Sequence, residues 1–303
     1  MDHIIAVPLD VRLAERIGKR GSENSLIHYN GVCSGENITV LVPSSLQDKA
    51  YAIAESLLVS DQIVISTNDV DKFLGEILLA CSLLNKRIII TDDNSIDDLL
   101  SNVDIKNVEF TNRDEILTKV AGYKIETDQS KTRVDIDKAF PVKGIGTVLL
   151  GVVTKGTVSV HDKLFSGSGI EVQVRSIQAN DKDIERASIY TRVGLAVKGV
   201  TDEEIPKGEV LSKSVIPPVK RIKASISAIK VNAEDVSVGK SYTMVSNFSY
   251  TNVTVISSTG NNIELRLDRG IQFELGDEIL LLRERMPRIF AHGVITETGG
   301  QAV

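Results

Sequence analysis

Residues 134–164 read VDIDKAFPVKGIGTVLLGVVTKGTVSVHDKL, and sequence of the same kind continues as EVQVRSIQ at 171–178, TRVGLAVKGV at 191–200 and IPKGEVLS at 205–212. Valine-rich runs alternate apolar with polar residues here, and glycine-containing turns interrupt them at short, regular intervals. Alternation with a period of two is typical of strands with one buried face, and closely spaced turns are typical of small antiparallel barrels. We therefore predict a β-barrel over residues 131–216.

Strand-like runs continue beyond the Pro217-Pro218 pair, which predicts a linker after the first barrel. The runs that alternate in the same way cover 222–231, 241–245, 252–257, 263–267, 278–283 and 290–296. They predict a second antiparallel β-barrel over residues 219–303.

Residues 1–125 have a different periodicity. The strand candidates in this part are the short, continuously apolar runs at 3–7, 37–42, 62–66, 87–91 and 107–110. Between them, residues 46–59 and 70–84 place apolar side chains on one helical face. Buried strands that alternate with helices are typical of a parallel sheet covered by helices on both faces. We therefore expect an α/β domain with a parallel sheet over residues 1–125.

Several motifs in the predicted barrels resemble a known family. The segments KGIGTV at 143–148, VRSI at 174–177 and RVG at 192–194 stand in the order and spacing of the second domain of translation-factor GTPases. The segments LGD at 275–277 and AHGVI at 291–295 are similar to the third domain of that family. The chain thus resembles elongation factor Tu and, more particularly, the SelB group, which implies a GTPase-like α/β domain followed by two barrels. His161 and Tyr190 depart from the family pattern, which has glycine at both positions.

The nucleotide-binding motifs of that family are absent. A phosphate loop needs G-x-x-x-x-G-K-[ST], but PLDVRLAE at 8–15 follows the first strand candidate, and the nearby Gly18-Lys19 lacks both the preceding glycine and the following hydroxyl. LVPS at 41–44 replaces the family's Asp-x-x-Gly, and TDDN at 91–94 replaces Asn-Lys-x-Asp. We therefore expect a degenerate GTPase-like domain that holds no nucleotide cofactor, in a chain that is not an enzyme.

The resemblance also implies candidate binding residues, although glycines and valines of the same motifs are explained by the barrel fold alone. In SelB-like proteins the matching positions help to line the pocket for the aminoacyl end of tRNA, and here they are Asp137, Lys138 and Arg175. The third domain of the family contacts the tRNA stem, which implies RNA phosphate contacts, or else only a solvated sheet face, for Arg283, Arg285 and Arg288. The four scattered histidines predict neither a catalytic residue nor a metal site.

The distribution of charge favours one half of the chain for nucleic acid. The net charge is −6, yet residues 1–125 hold 12 Lys and Arg against 19 Asp and Glu, whereas residues 126–303 hold 23 against 22. RNA should therefore meet the second half, through a local basic patch. Aromatic residues make up 4% of the chain and Trp is absent, which argues against a base-stacking platform for single strands.

No signal peptide or apolar run of membrane-spanning length is visible, so we expect a cytoplasmic protein without membrane contact. Cys33 and Cys81 are read as lone core or surface thiols.

The function that fits these observations is that of a SelB- or elongation factor Tu-like translation factor homologue. It would bind tRNA or a ribosome-associated partner, but not DNA, without hydrolysing GTP. Two alternatives stay open. The chain could be a protein-interaction or regulatory module that binds no RNA and docks a protein partner through its α/β domain, or a residual GTP-binding elongation factor.

Overall fold

The computed structural model describes residues 1–47, 49–67, 72–91, 96–124, 131–229 and 236–299. The helices are α1 (Val11–Ile17), α2 (Ala50–Val59), α3 (Lys72–Leu83), α4 (Asp97–Ser101) and α5 (Ile116–Ala121). The strands before residue 125 are β1 (His3–Ala6), β2 (Lys19–Glu23), β3 (Leu26–Cys33), β4 (Glu36–Pro43), β5 (Gln62–Ser66), β6 (Arg87–Thr91) and β7 (Val108–Thr111). We call residues 1–124 the N-terminal region.

The remaining strands form the middle region (131–216) and the C-terminal region (217–299). The strands of the middle region are β8 (Arg133–Val142), β9 (Gly146–Lys155), β10 (Thr157–Ser159), β11 (Lys163–Phe165), β12 (Glu171–Ala179), β13 (Lys182–Ile184), β14 (Arg186–Ser188), β15 (Arg192–Lys198) and β16 (Val210–Ser212). Those of the C-terminal region are β17 (Pro218–Ala228), β18 (Ser241–Ser246), β19 (Ser249–Thr259), β20 (Asn262–Gln272), β21 (Glu278–Leu282) and β22 (Ile289–Thr298).

The N-terminal sheet has the strand order β2-β3-β4-β1-β5-β6-β7. Its strands β4, β1, β5, β6 and β7 run parallel, as predicted, whereas β3 is antiparallel to β4 and β2 is antiparallel to β3. The α/β fold class with its parallel strands is therefore confirmed, and the sheet is mixed because β2 and β3, which the sequence did not predict, add two antiparallel strands at one edge. A tight turn explains the difference, because Ser34 and Gly35 both have positive φ and reverse the chain between β3 and β4.

Helices cover both faces of this sheet. Leu13 of α1 and Ile116 of α5 belong to the apolar cluster on one face. On the other face, Leu57 of α2 and Leu74 of α3 belong to a cluster that also contains Leu280 of β21. The helices α2 and α3 therefore share one hydrophobic core with the sheet and with the C-terminal region.

Both later regions are closed antiparallel structures. In the middle region the order is β11-β16-β8-β9-β15-β12-β13, and β11 also pairs with β12, so the sheet returns on itself. The C-terminal region is a closed barrel with the order β17-β20-β19-β18-β21-β22. His161 and Tyr190 have φ of 72° and 61°, so both adopt the left-handed conformation. These are the two positions at which the translation-factor family has glycine. None of the helices in the described ranges has the length and apolar character needed to traverse a lipid bilayer.

Candidate functional site

A cavity of about 570 Å³ lies where all three regions meet, and we call it the junction pocket. The N-terminal region contributes residues from the β2–β3 turn and from the start of α2, the middle region contributes β8 and the loop before β16, and the C-terminal region contributes β19. The lining residues are Asn24, Ser25, Lys49, Tyr51, Asp137, Lys138, Ala139, Asp202, Ile205, Pro206, Lys207 and Tyr250.

Asp137 is a buried acidic residue of this pocket, with 1% of its surface exposed. The pairing of β8 with β9 shifts register between Ile136 and Lys138, so Asp137 is the extra residue of a β-bulge. Bulges commonly re-aim one side chain out of the strand alternation. In the described parts of the chain, neither carboxylate oxygen of Asp137 has a hydrogen-bond partner.

The nearest charged and titratable groups stand beyond hydrogen-bond distance from that carboxylate. Oδ2 of Asp137 is 3.6 Å from Nε2 of His28 and 3.6 Å from Nη2 of Arg192, and Oδ1 is 4.0 Å from Nζ of Lys207. Burial lowers the pKa of His28 to about 3, and the charge of Arg192 adds to this effect. His28 is therefore neutral at physiological pH and does not neutralise Asp137.

The Nδ1 atom of His28 lies 3.2 Å from the carbonyl oxygen of Ser22. A carbonyl can only accept, so Nδ1 carries the proton and Nε2 presents a lone pair toward Asp137. Nη2 of Arg192 donates to Oγ of Ser22 at 2.8 Å. The hairpin of β2 and β3 thereby orients two groups that face the carboxylate.

Lys207 is tied to the N-terminal region. Its Nζ lies 2.9 Å from Oε1 of Glu55 and donates to Oγ of Ser25 at 2.6 Å, while Ser25 donates to Oε2 of Glu55 at 2.6 Å. Burial raises the pKa of Glu55, although the nearby charge of Lys207 opposes that shift. This ammonium binds Glu55 and Ser25 and stands 4.0 Å from Oδ1 of Asp137, so it makes no hydrogen bond to that carboxylate.

A second cavity of about 840 Å³ lies between the start of α2 and the rim of the C-terminal barrel, and we call it the arginine groove. Its lining residues are Gln47, Ala50, Tyr51, Lys240, Ser241, Tyr242, Thr243, Asn252, Thr254, Asp268, Leu282, Arg283, Glu284, Arg285 and Arg288. Cationic side chains outnumber carboxylates in this groove and in the junction pocket, although the whole chain is acidic.

The three arginines of the groove differ in their contacts. Arg288 forms an ion pair with Glu76 of α3, with Nη2 2.6 Å from Oε2, and its side chain is only 11% exposed. The guanidinium of Arg283 lies over the Phe290 ring at 5.0 Å, and its Nε donates to the carbonyl oxygen of Pro287. Arg285 is exposed. Arg285 is therefore the most accessible of the three.

The two cavities adjoin, because Tyr51 lines both of them. Tyr51 stacks on Tyr250 with ring centroids 4.5 Å apart and an interplanar angle of 22°. A molecule that extends from the arginine groove to the junction pocket would therefore pass this pair of rings.

The structure brings some of the residues predicted from sequence together and separates another. Asp137 and Lys138 line the junction pocket, and Arg283, Arg285 and Arg288 line the arginine groove. Arg175 is absent from the described lining of both cavities, and its Nη1 donates instead to the carbonyl oxygen of Ile145 in the β8–β9 turn.

Sequence reasoning missed four residues that surround Asp137, namely His28, Glu55, Arg192 and Lys207. Arg192 and Lys207 fall within the RVG and IPKG motifs, which were read as parts of the barrel. His28 and Glu55 carry no local signal, because they reach the site only through the packing of one region on another.

The sheet edge at which a phosphate loop would stand is occupied by an internal ion pair. Asp10 caps α1, since its Oδ1 accepts the backbone N–H of Leu13 at 2.9 Å. Nη2 of Arg113 lies 2.8 Å from Oδ2 of Asp10 and donates to Oγ of Ser66 at 3.0 Å. Within the described ranges no group of three or more His, Cys, Asp and Glu is placed to hold a metal ion. Residues 92–94 of the TDDN segment, the predicted substitute for the guanine motif, lie outside the described residues.

The chain thus combines one α/β region with two barrel-like regions, and the three share a polar pocket. No model of a known protein family matches the chain. An uncharacterised protein of Methanocaldococcus jannaschii is 28% identical over 280 residues, which cover 89% of this chain and 91% of that protein. The selenocysteine-specific elongation factor of the same organism is 29% identical over 200 residues, which cover 63% of this chain but only 42% of that factor.

Among solved structures, the elongation factor SelB of Methanococcus maripaludis in complex with the GTP analogue GppNHp matches with a TM-score of 0.82. The match covers 99% of this chain and 80% of SelB, but the two sequences are only 19% identical, so the match shows a similar fold and no more. The homologues and structural neighbours of the chain are thus SelB- and elongation factor Tu-like translation factors. The predicted resemblance and fold class are confirmed.

Proposed function

We propose that this chain is a cytoplasmic translation factor homologue that binds tRNA without hydrolysing GTP. The aminoacylated end would enter the junction pocket, and the phosphates of the adjoining stem would lie in the arginine groove. A ribosome-associated factor is the alternative partner. One observation carries the proposal: the two cavities adjoin at Tyr51. The junction pocket contains the residues proposed for the aminoacyl end, and the arginine groove contains those proposed for the stem phosphates.

In this proposal Asp137 and Lys138 contact the aminoacyl end. The carboxylate of Asp137 is buried, without hydrogen bonds from the described residues, and it lines the junction pocket, so it can accept bonds from the amino group of the ligand. Arg283 and Arg285 would neutralise phosphates, whereas Arg288 would act through Glu76 by holding α3 against the groove. Arg175 would meet the RNA outside both cavities, at the β8–β9 turn.

The absence of GTP hydrolysis rests on the N-terminal region. The residues after β1 supply no glycine cradle and no phosphate-binding lysine, and the Asp10–Arg113 ion pair places a carboxylate at the start of α1. Asp10 thereby occupies the cap position at the N-terminus of α1 that a phosphate would need. Titration with labelled GDP and Mg²⁺ should give no saturable binding. Micromolar affinity, about −8 kcal/mol, would favour a residual GTP-binding factor instead.

The aminoacyl site is tested by comparing aminoacylated with deacylated tRNA in a filter-binding assay at low salt. The unaltered chain should prefer aminoacylated tRNA, and Asp137→Asn should reduce that preference by roughly 10- to 100-fold, because a hydrogen bond to a charged group is worth about 1.5–3 kcal/mol. Asp181→Asn is the matched control, since Asp181 is exposed in the turn between β12 and β13. If the control loses the same preference, the effect does not belong to the pocket.

The groove is tested by charge reversal at its most accessible arginine. Arg285→Glu should weaken aminoacylated and deacylated tRNA alike and should reduce the dependence of affinity on salt, because one phosphate contact is lost. Arg186→Glu on β14 is the control, because Arg186 is exposed outside both cavities. If the unaltered chain binds no tRNA at low salt, the proposal is wrong and the protein-interaction module takes its place.

A further inference from the structure

Tyr51 and Tyr250 form a ridge between the junction pocket and the arginine groove, and we call this pair the tyrosine ridge. Tyr51 is the second residue of α2, and its ring packs against the buried apolar cluster that contains Phe248. Tyr250 lies on β19, stacks on Tyr51 and is 43% exposed. The ring of Tyr51, the inner ring, is thus held by packing, and the ring of Tyr250, the outer ring, is exposed to solvent.

The backbone that carries the outer ring is held in place. Arg269 donates from Nε and Nη2 to the carbonyl oxygen of Tyr250, at 3.1 and 2.8 Å. The residue before Tyr250 is also fixed, since Oγ of Ser249 donates to the carbonyl oxygen of Gly208 at 3.0 Å. An exposed aromatic ring in so constrained a position loses little further conformational entropy when a ligand stacks on it.

The surroundings of the ridge indicate the chemistry of that ligand. Cations outnumber carboxylates in the cavities on both sides, and the exposed ring stands between them. Single-stranded nucleic acids bind where basic grooves follow the backbone and aromatic rings accept the bases. The chain is poor in aromatic residues, which argues against an extended platform, but a single ridge is sufficient for one nucleotide.

We propose that the tyrosine ridge stacks one unpaired nucleotide of the bound RNA, with the base on the ring of Tyr250, where the strand passes from the arginine groove to the junction pocket. This inference rests on the proposed RNA-binding function. It adds the residue, Tyr250, on which one base of the unpaired end would stack.

The test compares two RNA hairpins that share one duplex, one with a blunt end and one with a short unpaired 3′ end. Tyr250→Ala should weaken binding of the hairpin with the unpaired end by roughly tenfold, since stacking of one base is worth about that factor, and should leave the blunt hairpin unchanged. Tyr250→Phe keeps the ring and should bind both hairpins as the unaltered chain does. Phe110→Ala removes another exposed aromatic ring, on the edge strand β7, and should change neither affinity.

A second measurement reports stacking directly. The fluorescent base 2-aminopurine at the first unpaired position should be quenched on binding to the unaltered chain and to Tyr250→Phe, but not to Tyr250→Ala. Equal losses for both hairpins would show that the ridge only packs the regions together, and persistent quenching with Tyr250→Ala would show that the base stacks elsewhere. Either result overturns this inference. If the unaltered chain binds neither hairpin, nor tRNA, the proposed function itself is overturned. Binding of both hairpins without any effect of Tyr250→Ala overturns this inference alone.

Discussion

Two buried polar clusters occur where the regions meet, and they begin on the same strand. The first surrounds Asp137 in the junction pocket. The second, which we call the arginine lock, consists of Arg133, Asp135, Lys155, Glu274 and Asp277. Arg133 donates to both oxygens of Asp135, at 2.9 and 3.0 Å, and to Oδ2 of Asp277 at 2.5 Å. Asp135 further accepts from Thr154 and from Asn247.

The difference between these clusters is their degree of hydrogen bonding. In the arginine lock the charges are paired at contact distance. Burial alone would lower the pKa of Arg133, but the carboxylates of Asp135 and Asp277 raise it above its usual value. At Asp137 the charges of Arg192 and Lys207 stand at 3.6 and 4.0 Å. Removing one partner from a saturated buried cluster is strongly destabilising, whereas a buried carboxylate without hydrogen bonds already costs stability in the unaltered chain.

The largest expected effect comes from breaking the arginine lock. Arg133→Met should lower the free energy of unfolding by about 3–5 kcal/mol, because it leaves Asp135 and Asp277 buried without their main partner. Urea denaturation followed by circular dichroism measures this. Arg186→Met is the control and should stay within about 0.5 kcal/mol, because Arg186 is exposed. A loss below about 1 kcal/mol for Arg133→Met would remove the distinction between the clusters.

A smaller effect on the free energy of unfolding is expected at the contact of Glu76 with Arg288. This contact joins α3 directly to the C-terminal region and involves no residue of the middle region. Arg288 also donates from its backbone N–H to Glu76 and from Nη1 to the carbonyl oxygen of Gln47. Glu76→Gln and Arg288→Met should couple by about 2 kcal/mol in a double-mutant cycle of unfolding free energies. Additive effects of the two variants would show that this ion pair is no more than a surface contact.

The sequence allowed much of the fold to be predicted, because each successful element has a local signal. The parallel strands are continuous apolar runs, and the barrel strands alternate between glycine-containing turns. The hairpin of β2 and β3 was missed because β2 is an exposed edge strand without apolar alternation. The Ser34-Gly35 turn was the available signal. Helix α2 begins at Ala50 and not at the predicted Leu46.

Local sequence signals also explain why only part of the candidate site could be predicted. Asp137 and Lys138 follow from a motif in one strand, but His28 and Glu55 approach them only after the regions have packed. The division into three domains stays a prediction. One apolar cluster runs from α2 and α3 into the C-terminal barrel, and another contains Ile4, Val152 and Phe248, one from each region. Separation of the regions would expose these side chains to water.

A dependence of stability on pH should distinguish the junction pocket from the arginine lock. The pKa of His28 is about 3 in the folded chain and about 6.5 when unfolded, so its contribution is complete above pH 6.5 and is lost as pH falls toward 3. Between pH 7.5 and 5.5 this loss should be about 1.4 kcal/mol. The raised pKa of Glu55 acts in the opposite direction. The folded chain binds a proton at Glu55 more readily than the unfolded chain does, so this group adds stability as pH falls.

The comparison that isolates His28 is therefore between the unaltered chain and His28→Gln. The variant should lose less stability on acidification, by about 1.4 kcal/mol. The charged groups that face the imidazole are the same in the unaltered chain and in His28→Gln, namely Asp137, Arg192 and Lys207. Titration of the His28 ring by NMR in the unaltered chain gives an independent measurement. A ring that becomes protonated near pH 6 would contradict the prediction.

The smallest expected effect is the most informative, because it compares two aspartates on one strand. Asp135 and Asp137 are both buried on β8, yet only Asp135 has hydrogen-bonded partners among the described residues. Asp135→Asn should cost about 3 kcal/mol, since Arg133 loses its carboxylate partner. Asp137→Asn should change the free energy of unfolding by less than about 1 kcal/mol, because relief of carboxylate desolvation offsets the lost attraction of Arg192 and Lys207 at 3.6 and 4.0 Å. Equal losses in the two variants would mean that Asp137 is as structural as its neighbour, and the reason for assigning it to a ligand would disappear.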